Sequence, residues 1–229
     1  MGEKGNKFMY HYIKDKEFLS KLHSTCADIV NQLVVEINKD SVIKVSAYLV
    51  GSGAKKLITQ NGDQEVDLDY NLEIKRTTLN NCRDIKNYIM DMFDVVLERN
   101  GWGNCQDSTS VISTEYREFK QGNRTGFKVD IAIVKKDYTG WQRLIHDKTG
   151  FVAMDRYYWN QAPNSRDLED RVKWIKNNNY WADVRIVYLE KKNMHLSRQD
   201  EQNHPSVNVD IETIDELFMR LRYTFSPVL

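Results

Sequence analysis

Apolar residues recur at Leu19, Leu22, Cys26, Ile29, Leu33 and Ile37, at spacings of three and four that trace one face of a helix over residues 16 to 38. Asp40 and Ser41 interrupt that pattern. The next run, VIKVSAYLV at 42 to 50, is rich in β-branched residues and predicts a buried strand ending at Gly51-Ser52-Gly53. After a short turn or helix and the loop TQNGDQ, strict alternation takes over from about Glu65 to Lys75. Val66, Leu68, Tyr70, Leu72 and Ile74 point one way, and Asp67, Asp69, Asn71, Glu73 and Lys75 the other. A second helix is predicted from about Thr78 to Arg99, with Leu79, Cys82, Ile85, Ile89, Met92 and Val96 on one face. STSVISTEYREF then reads as a strand, KQGNRTG as a turn and FKVDIAIVKK as the returning strand.

From Gly140 the spacing becomes helical: RDLEDRVKWIK, YWADVRIVYLEKKNMHL and DIETIDELFMRL all repeat at three and four. Asn164 and Ser165 before the first, and Thr213 within the third, are weak start signals. The expected fold class is α+β: a mixed β-sheet with flanking helices over residues 1–140, then a mainly helical C-terminal lobe over 141–229, with the changeover between residues 140 and 164. All three prolines fall after residue 160, as loops in the helical half would require.

Composition narrows the partners. The chain has 229 residues, 41% hydrophobic and 29% charged, an ordinary soluble balance. Its 33 basic and 33 acidic residues cancel, so a long DNA or RNA track is not expected and nucleic-acid contact should be local. Cys26, Cys82 and Cys105 are far apart, odd in number and contain no CxxC pair, which predicts reduced thiols and a cytoplasmic protein. The N-terminus is polar, without the apolar core of a signal peptide, and no run is long enough to span a membrane. The histidines His11, His23, His146, His195 and His204 lack metal-ligand spacing.

The chemistry gathers on the second strand. Alternation puts Asp67 and Asp69 on one face, roughly 7 Å apart along the backbone. Like charges that close raise each other's pKa unless a cation intervenes. Magnesium takes hard oxygen ligands and combines few carboxylates with phosphates. Asp130, in FKVDIAIV, lies opposite the face carrying Val129, Ile131 and Ile133. If that strand lies beside the first, the three carboxylates converge, and a second metal about 3.5 to 4 Å from the first becomes feasible. The glycines of Gly51-Ser52-Gly53 let the backbone approach a phosphate, and the Ser52 hydroxyl can donate to one.

The order strand, Gly-Ser, helix, strand with DxD, then a later strand with one Asp resembles the nucleotidyltransferase superfamily of DNA polymerase beta. The resemblance covers residues 42 to 135. Fourteen residues separate Ser52 from Asp67, a spacing that looks more like the branch holding oligoadenylate synthase and cyclic GMP-AMP synthase. DLEDRVKWIK and VRIVYLEKKN look, less specifically, like the helical lobe of that branch. The resemblance implies a two-lobed nucleotidyltransferase fold and transfer of a nucleoside monophosphate from an NTP to a hydroxyl, releasing pyrophosphate. It implies that Asp67, Asp69 and Asp130 hold two Mg2+ or Mn2+ ions, and that Gly51 and Ser52 seat the phosphates. The helical lobe should give a lysine to the triphosphate and an aromatic to the base. Lys191, Lys192 and Lys173 are candidates for the lysine, Tyr223 and Tyr188 for the aromatic, although Tyr188 sits in an apolar stretch that suits a core. Lys55 could add charge near the triphosphate. The acceptor is open: a second nucleotide, RNA, a protein hydroxyl or a small molecule. The competing expectation is an idle nucleotide-binding or regulatory protein that keeps the fold.

Overall fold

The computed structural model describes residues 9–138, 140–161, 167–197 and 206–224. In chain order the elements are β1 (Tyr10–Tyr12), α1 (Lys16–Ile37), β2 (Ile43–Leu49), α2 (Gly51–Lys55), β3 (Thr59–Asn61) and β4 (Val66–Thr77). There follow α3 (Cys82–Arg99), β5 (Gln106–Asp107), β6 (Ile112–Ser113), β7 (Phe127–Asp137), β8 (Gly140–Asp147) and β9 (Arg156–Gln161). Three helices close the described chain: α4 (Leu168–Asn177), α5 (Trp181–Ser197) and α6 (Ser206–Thr224).

Both long N-terminal helices start where a side chain satisfies an orphan amide. Asp15 accepts from the Phe18 amide at 2.9 Å and Asn81 from the Asp84 amide at 2.8 Å. The second helix therefore begins at Cys82 and not at Thr78, because Asn81 is its cap. Leu22, Cys26, Ile29, Leu33 and Ile37 of α1 are buried with Ile85, Ile89 and Phe93 of α3, in one core beneath the sheet. Each such side chain contributes roughly 1.5 to 3 kcal/mol by leaving water.

The sheet runs β2-β4-β7-β6-β5, with β8 also on β7 and β9 on β8. Among the described residues only β4 and β7 pair in parallel and the other neighbouring strands are antiparallel, so the sheet is mixed. Val66, Leu68, Tyr70 and Leu72 face the helical core, which turns Asp67, Asp69 and Asn71 to the opposite face. The strand expected over STSVISTEYREF shortens to Ile112–Ser113 plus a bridge at Arg117. The Thr114 hydroxyl takes the Val129 amide at 3.0 Å, a bond that a backbone carbonyl would otherwise accept.

Helical structure begins later than the sequence spacing suggests. Residues 140–161 carry β8 and β9, which extend the sheet, and the first following helix starts at Leu168. Leu144 is buried beneath the sheet, while His146 is held between Asp107 at 2.5 Å and Asp155 at 3.1 Å. Beyond them α4, α5 and α6 bury Ile175, Val184, Tyr188, Ile214 and Leu217 in a second core, which also takes Leu57 from the end of α2. That shared leucine ties the helical part to the Gly-Ser turn. Trp102 and Trp159 pack on the first core and Trp174 and Trp181 on the second.

Candidate active site

The face of the sheet turned away from α1 and α3 opens into a cleft of about 380 Å³. Its floor comes from β4 and β7. In their parallel register Asp69 stands beside Asp130, and Asp67 beside Lys128. Asp67, Asp69 and Asp130 all line this one cleft, as alternation on two neighbouring strands requires.

The acids are held against their charge. Burial lifts Asp69 to about 7, with Asp130 and Asp67 adding repulsion. Burial likewise lifts Asp67 to about 6, partly opposed by Lys128. Asp67 stands at the mouth with 43% of its side chain exposed, while Asp130 keeps 13%. A divalent cation bound beside them would favour their ionised form and release those protons to solvent.

The donor set is three hard oxygen groups, which suits Mg2+ or Mn2+. Yet among the described residues no three or more His, Cys, Asp or Glu side chains are drawn together at metal spacing. The space between Asp67 and Asp130 is taken by the Lys128 ammonium, 3.3 Å from Asp130 Oδ1 and 3.9 Å from Asp67 Oδ2. The convergence expected from the sequence is thus present as a shared face and not as a closed metal cage.

The Gly-Ser turn is fastened to the same strand. The Val50 amide donates to the Asp69 carbonyl at 2.9 Å, which places α2 directly over the acids. Gly51 has φ +60, and a Cβ there would stand 3.0 Å from Asp69 Oδ2. Gly53 lets the turn lie on the sheet, since its Cβ would stand 2.9 Å from Leu68 Cδ2. Ser52 is 8% exposed and lines the cleft.

The lysines expected near the triphosphate separate by position. Lys192 lines the cleft from α5, donates to Thr59 Oγ1 at 3.2 Å and lies 4.5 Å from the Tyr10 ring centre. Burial holds its pKa below the usual lysine value, and Asp67 and Asp69 pull it back up. Lys191 is one residue round the helix and pairs instead with Glu216 of α6 at 2.9 Å. Adjacent helical residues point in different directions, so only one of the two can face the cleft. Lys173 is exposed beside Asp170. Lys55 is also turned away: it forms a buried ion pair with Asp210 of α6. Tyr188 is fully buried in the second core, and the side chain of Tyr223 lies outside the described residues.

Three groups on the cleft wall escape the sequence reading. Arg143 of β8, Asn71 of β4 and Asn61 of β3 line it, and Arg143 Nε, Asn71 Oδ1 and Asn61 Oδ1 are buried without a hydrogen-bond partner among the described residues. Buried polar atoms left unpaired cost stability, so they mark places where a ligand would be welcome. Asn71 shares the Asp67 and Asp69 alternation, a signal that was available. Arg143 had none, because its segment resembles the start of a helical region.

No protein-family model matches the sequence, and no curated protein is detectably similar to it. Solved structures are similar in fold. CdnC of Escherichia coli MS115-1 with ATP is 14% identical at a TM-score of 0.53, covering 91% of this chain and 62% of that one. The CdnE cyclic dinucleotide synthase of Elizabethkingia meningoseptica with GTP and Apcpp is 12% identical at 0.51, covering 84% and 67%. E. coli DncV with 3'-deoxy GTP is 11% identical at 0.50, covering 89% and 54%. This chain therefore spans between about half and two thirds of their lengths. The likeness is one of fold: a mixed sheet with flanking helices followed by a helical C-terminal part, as in CdnC, CdnE and DncV.

Proposed function

We propose that this chain, folded as a nucleotidyltransferase, transfers a nucleoside monophosphate from an NTP to a hydroxyl acceptor and releases pyrophosphate. One observation carries the reading: three acids on one face of two paired strands share a cleft with a Gly-Ser turn and a buried lysine from the facing helix.

Asp67, Asp69 and Asp130 would hold divalent ions, which when bound neutralise triphosphate charge and lower the pKa of the acceptor hydroxyl. Ser52 donates its hydroxyl to a phosphate oxygen, and the glycine before it leaves room for the backbone to do the same. Lys192 sets a positive charge on the opposite wall, for the charge that develops as the bond breaks. The acceptor oxygen bonds to the α-phosphorus, and the bond from that phosphorus to the bridging oxygen breaks. Pyrophosphate leaves with the electron pair, and the hydroxyl proton passes to Asp130 or to water. Arg143 and Asn71 then face the remainder of the nucleotide. A second nucleotide is the acceptor to test first, since CdnE is a cyclic dinucleotide synthase.

A second reading, an idle nucleotide-binding protein, draws on the Lys128 ammonium between two of the acids. The two part on a simple pair of measurements. Thermal melting with Mg2+ and a non-hydrolysable NTP reports binding, and pyrophosphate release reports transfer. Binding with pyrophosphate release supports the enzyme. Binding without release, for all four NTPs and for Mn2+ as well as Mg2+, leaves the idle reading.

A further inference from the structure

Lys128 lies two residues before Asp130, so alternation puts it on the acids' face, and the parallel register puts it beside Asp67. Its side chain is 20% exposed, and its ammonium is 3.3 Å from Asp130 Oδ1 and 3.9 Å from Asp67 Oδ2. Three carboxylates crowded on one face need positive charge between them. Lys192 faces the same acids from across the cleft but spends a hydrogen bond on Thr59.

Lys128 also has somewhere else to go. It lines a second cavity of about 260 Å³, together with Ser113, Glu115 and Tyr116, on the side away from the Gly-Ser turn. Its ammonium already lies 5.5 Å from the Tyr116 ring centre, within reach of a cation–π perch. None of the three acids lines that cavity.

We propose that Lys128 is a positioning residue, the resident counter-cation of the acid triad, which competes with a divalent ion for Asp67 and Asp130 and moves towards Tyr116 when the ion binds. The inference rests on the reading that the triad holds divalent ions. An ammonium and a divalent cation cannot share a gap of this width, because their repulsion acts across a few ångströms in a partly desolvated cleft. Each ion bound must therefore displace an existing ion pair. The lysine thus sets the threshold of metal concentration at which the site loads, and offsets the repulsion among the acids until then.

The test is calorimetric titration of Mn2+ into the full chain, metal-stripped and without nucleotide, for wild type, Lys128→Met, Lys128→Gln and Lys128→Arg. The two neutral variants should bind Mn2+ at least about tenfold more tightly than wild type, since they have no ion pair to break. Lys128→Arg should stay near wild type, because a guanidinium can hold both acids. Without metal the neutral variants should melt lower at pH 8, and Mn2+ should raise their Tm by more than it raises that of wild type. Neutral variants that are unfolded without metal but fold with Mn2+ would support the same conclusion. Equal or weaker Mn2+ binding by the neutral variants overturns the role of Lys128 and leaves the metal site intact. Neutral variants that stay unfolded at saturating Mn2+ overturn it too, and make Lys128 a structural residue. Absence of binding to wild type and neutral variants alike overturns both the inference and the metal reading beneath it.

Discussion

Replacing Asp69 by Asn should stabilise the metal-free chain, and only above about pH 4. Burial and the charges of Asp130 and Asp67 lift the Asp69 carboxyl to about 7, whereas in an unfolded chain it titrates near the ordinary aspartate value of 3.8. The folded state therefore holds more protons between those limits. Stability linked to this group is fully present below about pH 4 and is lost as pH rises through about 7. That difference corresponds to roughly 4 kcal/mol between protonation states. Part of that repulsion relaxes through water and through Lys128, and a working figure is roughly 2 kcal/mol. In a chain of this size 1 kcal/mol moves Tm by about 2 to 4 °C. Differential scanning calorimetry in EDTA should find Asp69→Asn about 4 to 8 °C above wild type at pH 8 and within about 2 °C of it at pH 3.5. Saturating Mg2+ should narrow or reverse the difference, because only wild type keeps all three acids. A variant that melts below wild type at pH 8, or differs from it equally at both pH values, would refute the crowding of charge inferred around Asp69.

Ser52→Ala removes one charge-assisted hydrogen bond, worth about 1.5 to 3 kcal/mol, and should weaken binding of a non-hydrolysable NTP roughly ten- to a hundredfold while leaving a bare nucleoside almost unaffected. Equal loss for both ligands, measured by calorimetry, would remove the phosphate-seat role. Gly51→Ala meets both a left-handed φ and the Asp69 carboxylate, so it should cost about 1 to 3 kcal/mol in urea unfolding and also weaken Mn2+ binding. Stability at the wild-type level would show that the turn has another conformation open to it. Asp210→Ala strands the buried Lys55 ammonium and should cost about 3 kcal/mol or more, whereas Lys55→Met with Asp210→Leu together should recover most of that loss. Failure of the pair to recover it would mean that the ion pair is not what joins α2 to α6.

Much of the site was legible because strand alternation is rigid. Once Asp67, Asp69 and Asp130 were placed on strands with the opposite face apolar, their orientation followed, and the register of β4 with β7 put Asp69 beside Asp130. The same logic would have shown Lys128, two residues before Asp130, but a lysine beside acids reads as an ordinary surface charge until its distances are known. Lys55 illustrates a different obstacle. A five-residue helix such as α2 carries too little pattern to fix its phase, and the partner that claims Lys55 lies 155 residues away in sequence. Arg143 was hidden by the segment GWQRLIHD, whose few apolar positions suit either period. Its pairing with β7 and β9 makes it a strand, and such pairing is not written in local spacing.

The most direct measurement is mass spectrometry of the products formed when the full chain is incubated with Mg2+ and each NTP, singly and in pairs, beside Asp69→Asn. The predicted result is a species heavier than one NTP by the mass of a nucleoside monophosphate residue, or its cyclised form, with one pyrophosphate released per bond formed. Asp69→Asn, folded by circular dichroism, should form none. Unchanged NTPs with the wild-type chain under every pairing, with Mn2+ in place of Mg2+ and with RNA, protein and small-molecule hydroxyls supplied as acceptors, would contradict nucleotidyl transfer, as would undiminished product from Asp69→Asn.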